Sequence, residues 1–215
     1  MLNELCEGGF RHYEQSVRVV ELLEKDGKGL NLTYEVRDGI LKHQMWTKAD
    51  TMEGQVVRMA DKIAYINHDV DDAINAGILT EQMLPEGARR VLGGSVRERL
   101  NTVIHSIISA SLEQGDVVMA PECEEAVMSL REFMFEHVYA NSKPKEEEAK
   151  AQLLLKGLYD YYMANTEQLP PEYIEGVWTR RESFSRAVCD YIAGMTDEYA
   201  IAKYEELFVP KGWQH

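Results

Sequence analysis

One stretch of this 215-residue chain gathers side chains that could do chemistry: Met59-Ala-Asp-Lys-Ile-Ala-Tyr-Ile-Asn-His-Asp-Val-Asp-Asp-Ala73. At 100° per residue on a helix, Asp61, Tyr65 and Asp69 fall within about 80° of one another. Arg58, Lys62 and Asp72 flank that stripe, and Val56, Met59, Ile63, Ile66, Val70 and Ala73 lie on the other side. A carboxylate can bind a divalent cation. Lys62 can meet a phosphate as a point charge. A tyrosine hydroxyl and a second carboxylate can hydrogen-bond sugar hydroxyls. The plain alternative is a solvent-facing polar stripe on a core helix, and spacing does not choose between the two. The adjacent pair His68-Asp69 is a poor metal doublet, because neighbouring residues on a helix point about 100° apart.

A second candidate is Phe10-Arg-His-Tyr-Glu-Gln-Ser16, where His12 could serve in general acid–base chemistry or simply decorate a helix start. His105, within Val103-Ile-His-Ser-Ile-Ile108, reads as a satisfied core histidine. Gly8-Gly9 and Gly93-Gly94 match neither a phosphate-binding loop nor a dinucleotide fingerprint, and no nucleophile elbow is present.

The elements that must hold these groups read as helices nearly throughout, so the expected class is all-α; no convincing strand pattern occurs. A periodic segment runs from Phe10 to Lys25 and stops at Asp26-Gly-Lys-Gly29. Thr33 can cap a short helix from Tyr34 to about His43. The polar stripe belongs to a long helix from Met52 to about Asn75, with Thr51 as N-cap and Gly77 past its end. Arg97 to about Gln114 forms another, and Leu100–Leu112 is apolar almost all round, which predicts burial between other helices. Pro121 can open a helix from Glu122 to Asn141. The acidic run after Ser142 suits the first turn of the next helix, which continues through Leu153 to Asn165. Pro170-Pro171 breaks the chain, and a last helical block covers Arg180 to Leu207, with a break near Gly194.

The net charge of −14 argues against broad nucleic-acid binding, which needs a basic surface. A local basic patch for a nucleotide stays open. Three scattered cysteines without a Cys/His cluster argue against structural zinc and for a reducing compartment. No run approaches the length of a membrane span and no signal-peptide pattern opens the chain, so the expected location is cytoplasmic.

At four stretches the sequence resembles the deoxyguanosine-triphosphate triphosphohydrolase-like proteins of the HD-domain phosphohydrolases. They are Gly9-Phe-Arg-His-Tyr-Glu-Gln-Ser-Val-Arg-Val-Val20, Gly29-Leu-Asn-Leu-Thr-Tyr-Glu-Val-Arg-Asp-Gly-Ile-Leu41, Glu53 to Ala73, and Asp190-Tyr-Ile-Ala-Gly-Met-Thr-Asp-Glu-Tyr-Ala200. The resemblance implies a helical HD-type phosphohydrolase fragment with its associated C-terminal helices. It implies hydrolysis of a deoxynucleoside triphosphate to deoxynucleoside and triphosphate with a divalent ion such as manganese or magnesium. It gives Asp61 as a metal ligand, Lys62, Tyr65 and Asp69 as phosphate and sugar contacts, and His12 as the proton donor to the leaving oxygen. Residues 1–115 would be the C-terminal part of the phosphohydrolase core and 116–215 the associated helical region, packed as one unit.

The departures from the family pattern matter as much. The family carries a first histidine, a His-Asp doublet and a Gly-His-rich loop before this stretch; these motifs are not matched here, no His-Asp pair lies upstream of Asp61, and His68-Asp69 comes after it. Tyr13 stands where asparagine is expected, and Glu198 where arginine is expected. One carboxylate cannot hold a catalytic ion against water. The expectation is therefore an incomplete enzyme, inactive alone, working as a homo-oligomer or with a missing N-terminal half. The alternative is a non-catalytic helical module that binds nucleotide or docks on a full-length homologue.

Overall fold

The computed structural model describes residues 1–44, 46–139 and 142–212, with the side chains of residues 142–146 outside that description. The described residues are helical with no strand, so the all-α expectation is met. No helix among them is long and apolar enough to cross a membrane.

The chain forms two compact units, residues 33–145 and residues 1–32 with 146–215. These units do not follow the expected division at 115/116. The second is built from two distant pieces of sequence, which a reading along the chain order does not anticipate.

The unit of residues 33–145 is organised on the Met52–Asn75 helix. Thr51 stops the chain from fraying there: its side chain accepts from the Gly54 N–H, a cap worth about 1 kcal/mol. Gly54 has a packing reason, since a Cβ there would lie 2.7 Å from the Ala49 Cβ. The buried face of the helix is Met59, Ile63, Ile66, Val70 and Ala73. It packs with Leu92 of Glu86–Leu92, Val103 of Val96–Gln114 and Val127, Leu130 and Met134 of Pro121–Met134. Arg99 is fully inside this unit. Its Nη1 meets Glu81 Oε2 at 2.8 Å and its Nε meets Asn67 Oδ1 at 3.3 Å, which offsets part of the cost of burying the charge, while its Nη2 is buried without a partner.

The Val96–Gln114 helix departs from expectation. Ser95 caps it, its side chain accepting from the Glu98 N–H, yet Ile104, Ile108 and Leu112 are exposed, Leu112 by 82%. An apolar circumference does not supply neighbours for every face. His105 is exposed as well, with Nδ1 2.8 Å from the Asn101 carbonyl, so it is a surface residue and not a core histidine. Val56, assigned to the apolar side of the long helix, is also exposed. Pro121 opens its helix as expected; the α-helix ends at Met134 and a π-helical stretch continues from Phe135 to Tyr139. The expected end at Asn141 lies outside the described residues.

The other unit packs Leu158, Tyr159 and Tyr162 of Ser142–Ala164 against Val177 of Pro171–Arg180 and Ala187, Val188, Cys189 and Ile192 of Phe184–Ala193. Asp197–Phe208 closes the chain order. The expected block from Arg180 to Leu207 is thus cut twice, near Gly194 and again at Arg181, whose left-handed φ of 58° ends one helix before Ser183 caps the next. The early segment also differs from a single helix. His12–Arg18 passes into a π-helical stretch, Val19–Leu23, and then into a turn in which Lys25 and Asp26 take left-handed φ values of 52° and 55°.

Candidate functional site

The long helix presents the polar stripe as its spacing requires. Asp61 and Tyr65 are exposed, Lys62 and Asp69 are partly covered, and the opposite face is core. The Tyr65 hydroxyl hydrogen-bonds the Asp69 carboxylate. Burial raises the Asp69 pKa from its ordinary value; Tyr65 works against that, and Asp72 adds to it. Burial likewise raises the Tyr65 pKa, helped by the Asp69 charge. Asp69 Oδ2 is buried without a hydrogen-bond partner. A buried lone pair left unmade costs on the order of 1–3 kcal/mol, so a ligand hydroxyl that donates to it would recover that energy.

Two residues of the Pro121–Met134 helix join the stripe, and sequence spacing could not have found them. Glu124 Oε1 lies 3.3 Å from Lys62 Nζ, so the ammonium expected at a phosphate has a carboxylate partner here. Arg131 lies close enough for its charge to act on the Tyr65 hydroxyl, and its guanidinium sits over the Phe135 ring at 4.8 Å. Nothing local in the sequence marks either residue, because both reach the stripe from another helix.

On the opposite side of the same helix runs an apolar cleft of about 290 Å³, lined by Val56, Met59, Ala60, Ile63, Ile104 and Ile108 among others. Its walls offer no charge to a triphosphate, so the polar chemistry belongs to the stripe.

His12 lies in the other unit, exposed at the first turn of His12–Arg18, with its ring edge-on to Tyr13 at 5.4 Å. Behind it that unit holds a charged network. Arg18 meets Glu182 Oε2 at 2.6 Å and Asp190 Oδ2 at 2.7 Å. Gln15 Nε2 donates to Asp190 Oδ1 at 2.9 Å and Arg186 Nη2 does so at 3.0 Å. Burial would raise the Glu182 pKa, but the hydrogen bonds and charge of Arg18, with Arg180, leave it lowered. Glu198, at the position expected to hold arginine, is exposed in the first turn after the Thr196 cap, where the helix dipole favours a carboxylate.

A resident divalent ion does not fit these residues by themselves. Among the described residues, no group of three or more His, Cys, Asp or Glu side chains is placed to hold one. Asp61 is a single exposed carboxylate.

Residues 117–206 match the model of the phosphohydrolase-associated domain. That match crosses both compact units. Over 215 residues the chain is 48% identical to a deoxyguanosinetriphosphate triphosphohydrolase-like protein of Caldanaerobacter subterraneus subsp. tengcongensis, covering 99% of this chain and 62% of that relative. A protein of the same description from Clostridium perfringens strain SM101 is 42% identical over 220 residues, covering 98% and 64%. One from Thiobacillus denitrificans is 33% identical over 255 residues, covering 94% and 66%. The chain therefore spans a little under two thirds of the length of these curated relatives.

Proposed function

From the premise that this chain is homologous along nearly its whole length to deoxyguanosinetriphosphate triphosphohydrolase-like proteins, we propose that it forms the larger part of a deoxynucleoside triphosphate hydrolase. The reaction would release deoxynucleoside and inorganic triphosphate. The observation that carries the reading is the Asp61–Asp69 stripe: polar groups held on a rigid helix, one of them a buried acceptor with nothing to accept from. Asp69 takes a sugar hydroxyl on Oδ2, and Tyr65 orients that carboxylate through its own hydroxyl. Lys62 and Arg131 supply positive charge to the phosphates; Lys62 must first exchange Glu124 for ligand, which is cheap for a partly exposed pair. Asp61 offers one ligand to an ion that needs several, so the chain by itself is expected to be inactive. His12 is assigned as the donor that protonates the leaving oxygen.

The test is release of triphosphate from each deoxynucleoside triphosphate with manganese or magnesium. The chain alone should give none. The remaining length of a relative, added as a separate polypeptide, should restore it, and Asp61→Ala should abolish the restored activity. Turnover by the isolated chain that Asp61→Ala abolishes would mean that this chain completes the ion site itself. Restored turnover that survives His12→Gln would remove the proton-donor assignment and leave the stripe intact.

The exposed apolar ridge of Ile104, Ile108 and Leu112 favours a second reading, a non-catalytic module that docks on a full-length homologue. Co-elution with such a homologue, lost in Ile104→Asp and without any restored turnover, would select it.

A further inference from the structure

Cys6 and Cys189 lie 183 positions apart in sequence yet share one buried cluster of the unit built from both chain ends. Cys6 is 5% exposed and Cys189 is wholly buried. The two thiols are within hydrogen-bonding reach of each other. Arg186 Nη1 points at the Cys6 sulfur from 3.7 Å. The segment holding Cys6 is pinned to the helix holding Cys189, since the Glu7 N–H donates to Ser185 Oγ at 2.9 Å. Cys123 is the natural contrast: buried in the other unit, with Ser106 and not a cysteine as its thiol neighbour.

We infer that Cys6 and Cys189 form a modification site, a dithiol that hydrogen peroxide converts to an intramolecular disulfide. The guanidinium of Arg186 stands beside the Cys6 sulfur, on which the reaction begins. Burial raises the Cys189 pKa, so it stays a thiol and donates to Cys6. Access comes from local opening of Leu2–Leu5, a single helical turn.

The thiolate of Cys6 attacks one peroxide oxygen; the O–O bond breaks, and the departing hydroxide takes up the proton that Cys6 gave up, leaving as water. The Cys189 sulfur then attacks the sulfenic sulfur. The S–S bond forms, the S–O bond breaks, and a second water leaves with the Cys189 proton. The two thiols lose two electrons and the peroxide gains two. The product ties the Leu2–Cys6 segment to the Phe184–Ala193 helix, just before the turn that leads to His12.

The whole chain, treated with hydrogen peroxide and digested with trypsin without reductant, should yield residues 1–11 linked to residues 187–203. The linked pair should be two hydrogens lighter than the sum of its parts and should separate on reduction. Cys123→Ser should leave the yield unchanged, and Cys6→Ser or Cys189→Ser should abolish it. In the wild type, Cys123 should oxidise at least about tenfold more slowly than Cys6, because it lacks both a cationic neighbour and a partner thiol. The wild-type peptide map does not depend on any variant folding. Over-oxidation of Cys6 with Cys189 left free, a link through Cys123, or a Cys6–Cys6 link between chains would each overturn the inference.

Discussion

Two polar clusters sit on helices of this molecule, and they are built to opposite rules. In the unit that joins the chain ends, Asp190 is almost wholly buried and receives Arg18, Arg186 and Gln15. Glu182 closes the other side of Arg18. Both carboxylates are answered. In the unit of residues 33–145, Asp69 keeps one buried oxygen with no donor, and Lys62 holds Glu124 by a single long contact. The first arrangement spends its charges on one another and has nothing left for a ligand. The second leaves polar capacity unused on a helix whose far face is rigidly packed, which is the condition for binding something else.

The largest expected effect follows from the first cluster. Asp190→Ala should destabilise its unit by about 3–5 kcal/mol in urea unfolding, because it removes the buried acceptor shared by Arg18, Arg186 and Gln15. Lys62→Ala should cost under about 1 kcal/mol, since that pair is partly exposed and weakly made. Equal losses would erase the distinction between a structural cluster and a binding one.

Acid sharpens the same contrast. The folded-state pKa of Glu182 lies below its unfolded value, so its contribution to stability is present above the unfolded pKa, about 4.3. It is lost as the pH falls through the lower, folded value. Glu182→Gln should therefore flatten the acid limb of the stability profile below about pH 4.5, with the difference from wild type largest at neutral pH. An unchanged acid limb would mean that Arg18 and Arg180 do not hold the carboxylate ionised.

Much of the second cluster was legible because helix signals are local. The Thr51 cap and the apolar period through Val70 fix the limits of Met52–Asn75 and the side on which Asp61, Tyr65 and Asp69 lie. What was not legible depends on neighbours. Lys62 meets Glu124 across 62 positions and Asp190 meets Arg18 across 172, and no period encodes such a meeting. The Val96–Gln114 helix shows the same limit. Its composition predicted burial all round, yet burial needs a surface that closes over each side chain, and Ile104 and Ile108 only line an open cleft. The interruption at Arg181 was missed because a left-handed arginine carries no glycine or proline to announce it.

The smallest effect is the most discriminating. Burial holds the Asp69 pKa above its unfolded value, so the native state binds the proton more tightly than the unfolded chain does. Stability from this group is therefore full below the unfolded pKa and is lost as the pH rises through the folded one. At neutral pH the ionised carboxylate is a small liability. Asp69→Asn removes that charge while keeping the shape, and should raise the melting temperature by about 2 °C near pH 7. The gain should shrink toward zero at pH values where Asp69 is protonated in both states. The same variant should weaken binding of a deoxynucleoside, read by titration calorimetry with the chain completed by the remaining length of a relative. A residue that costs stability and improves binding is retained for the ligand. If Asp69→Asn instead destabilises at every pH and leaves binding unchanged, Asp69 is an ordinary structural contact, and the contrast with Asp190 disappears.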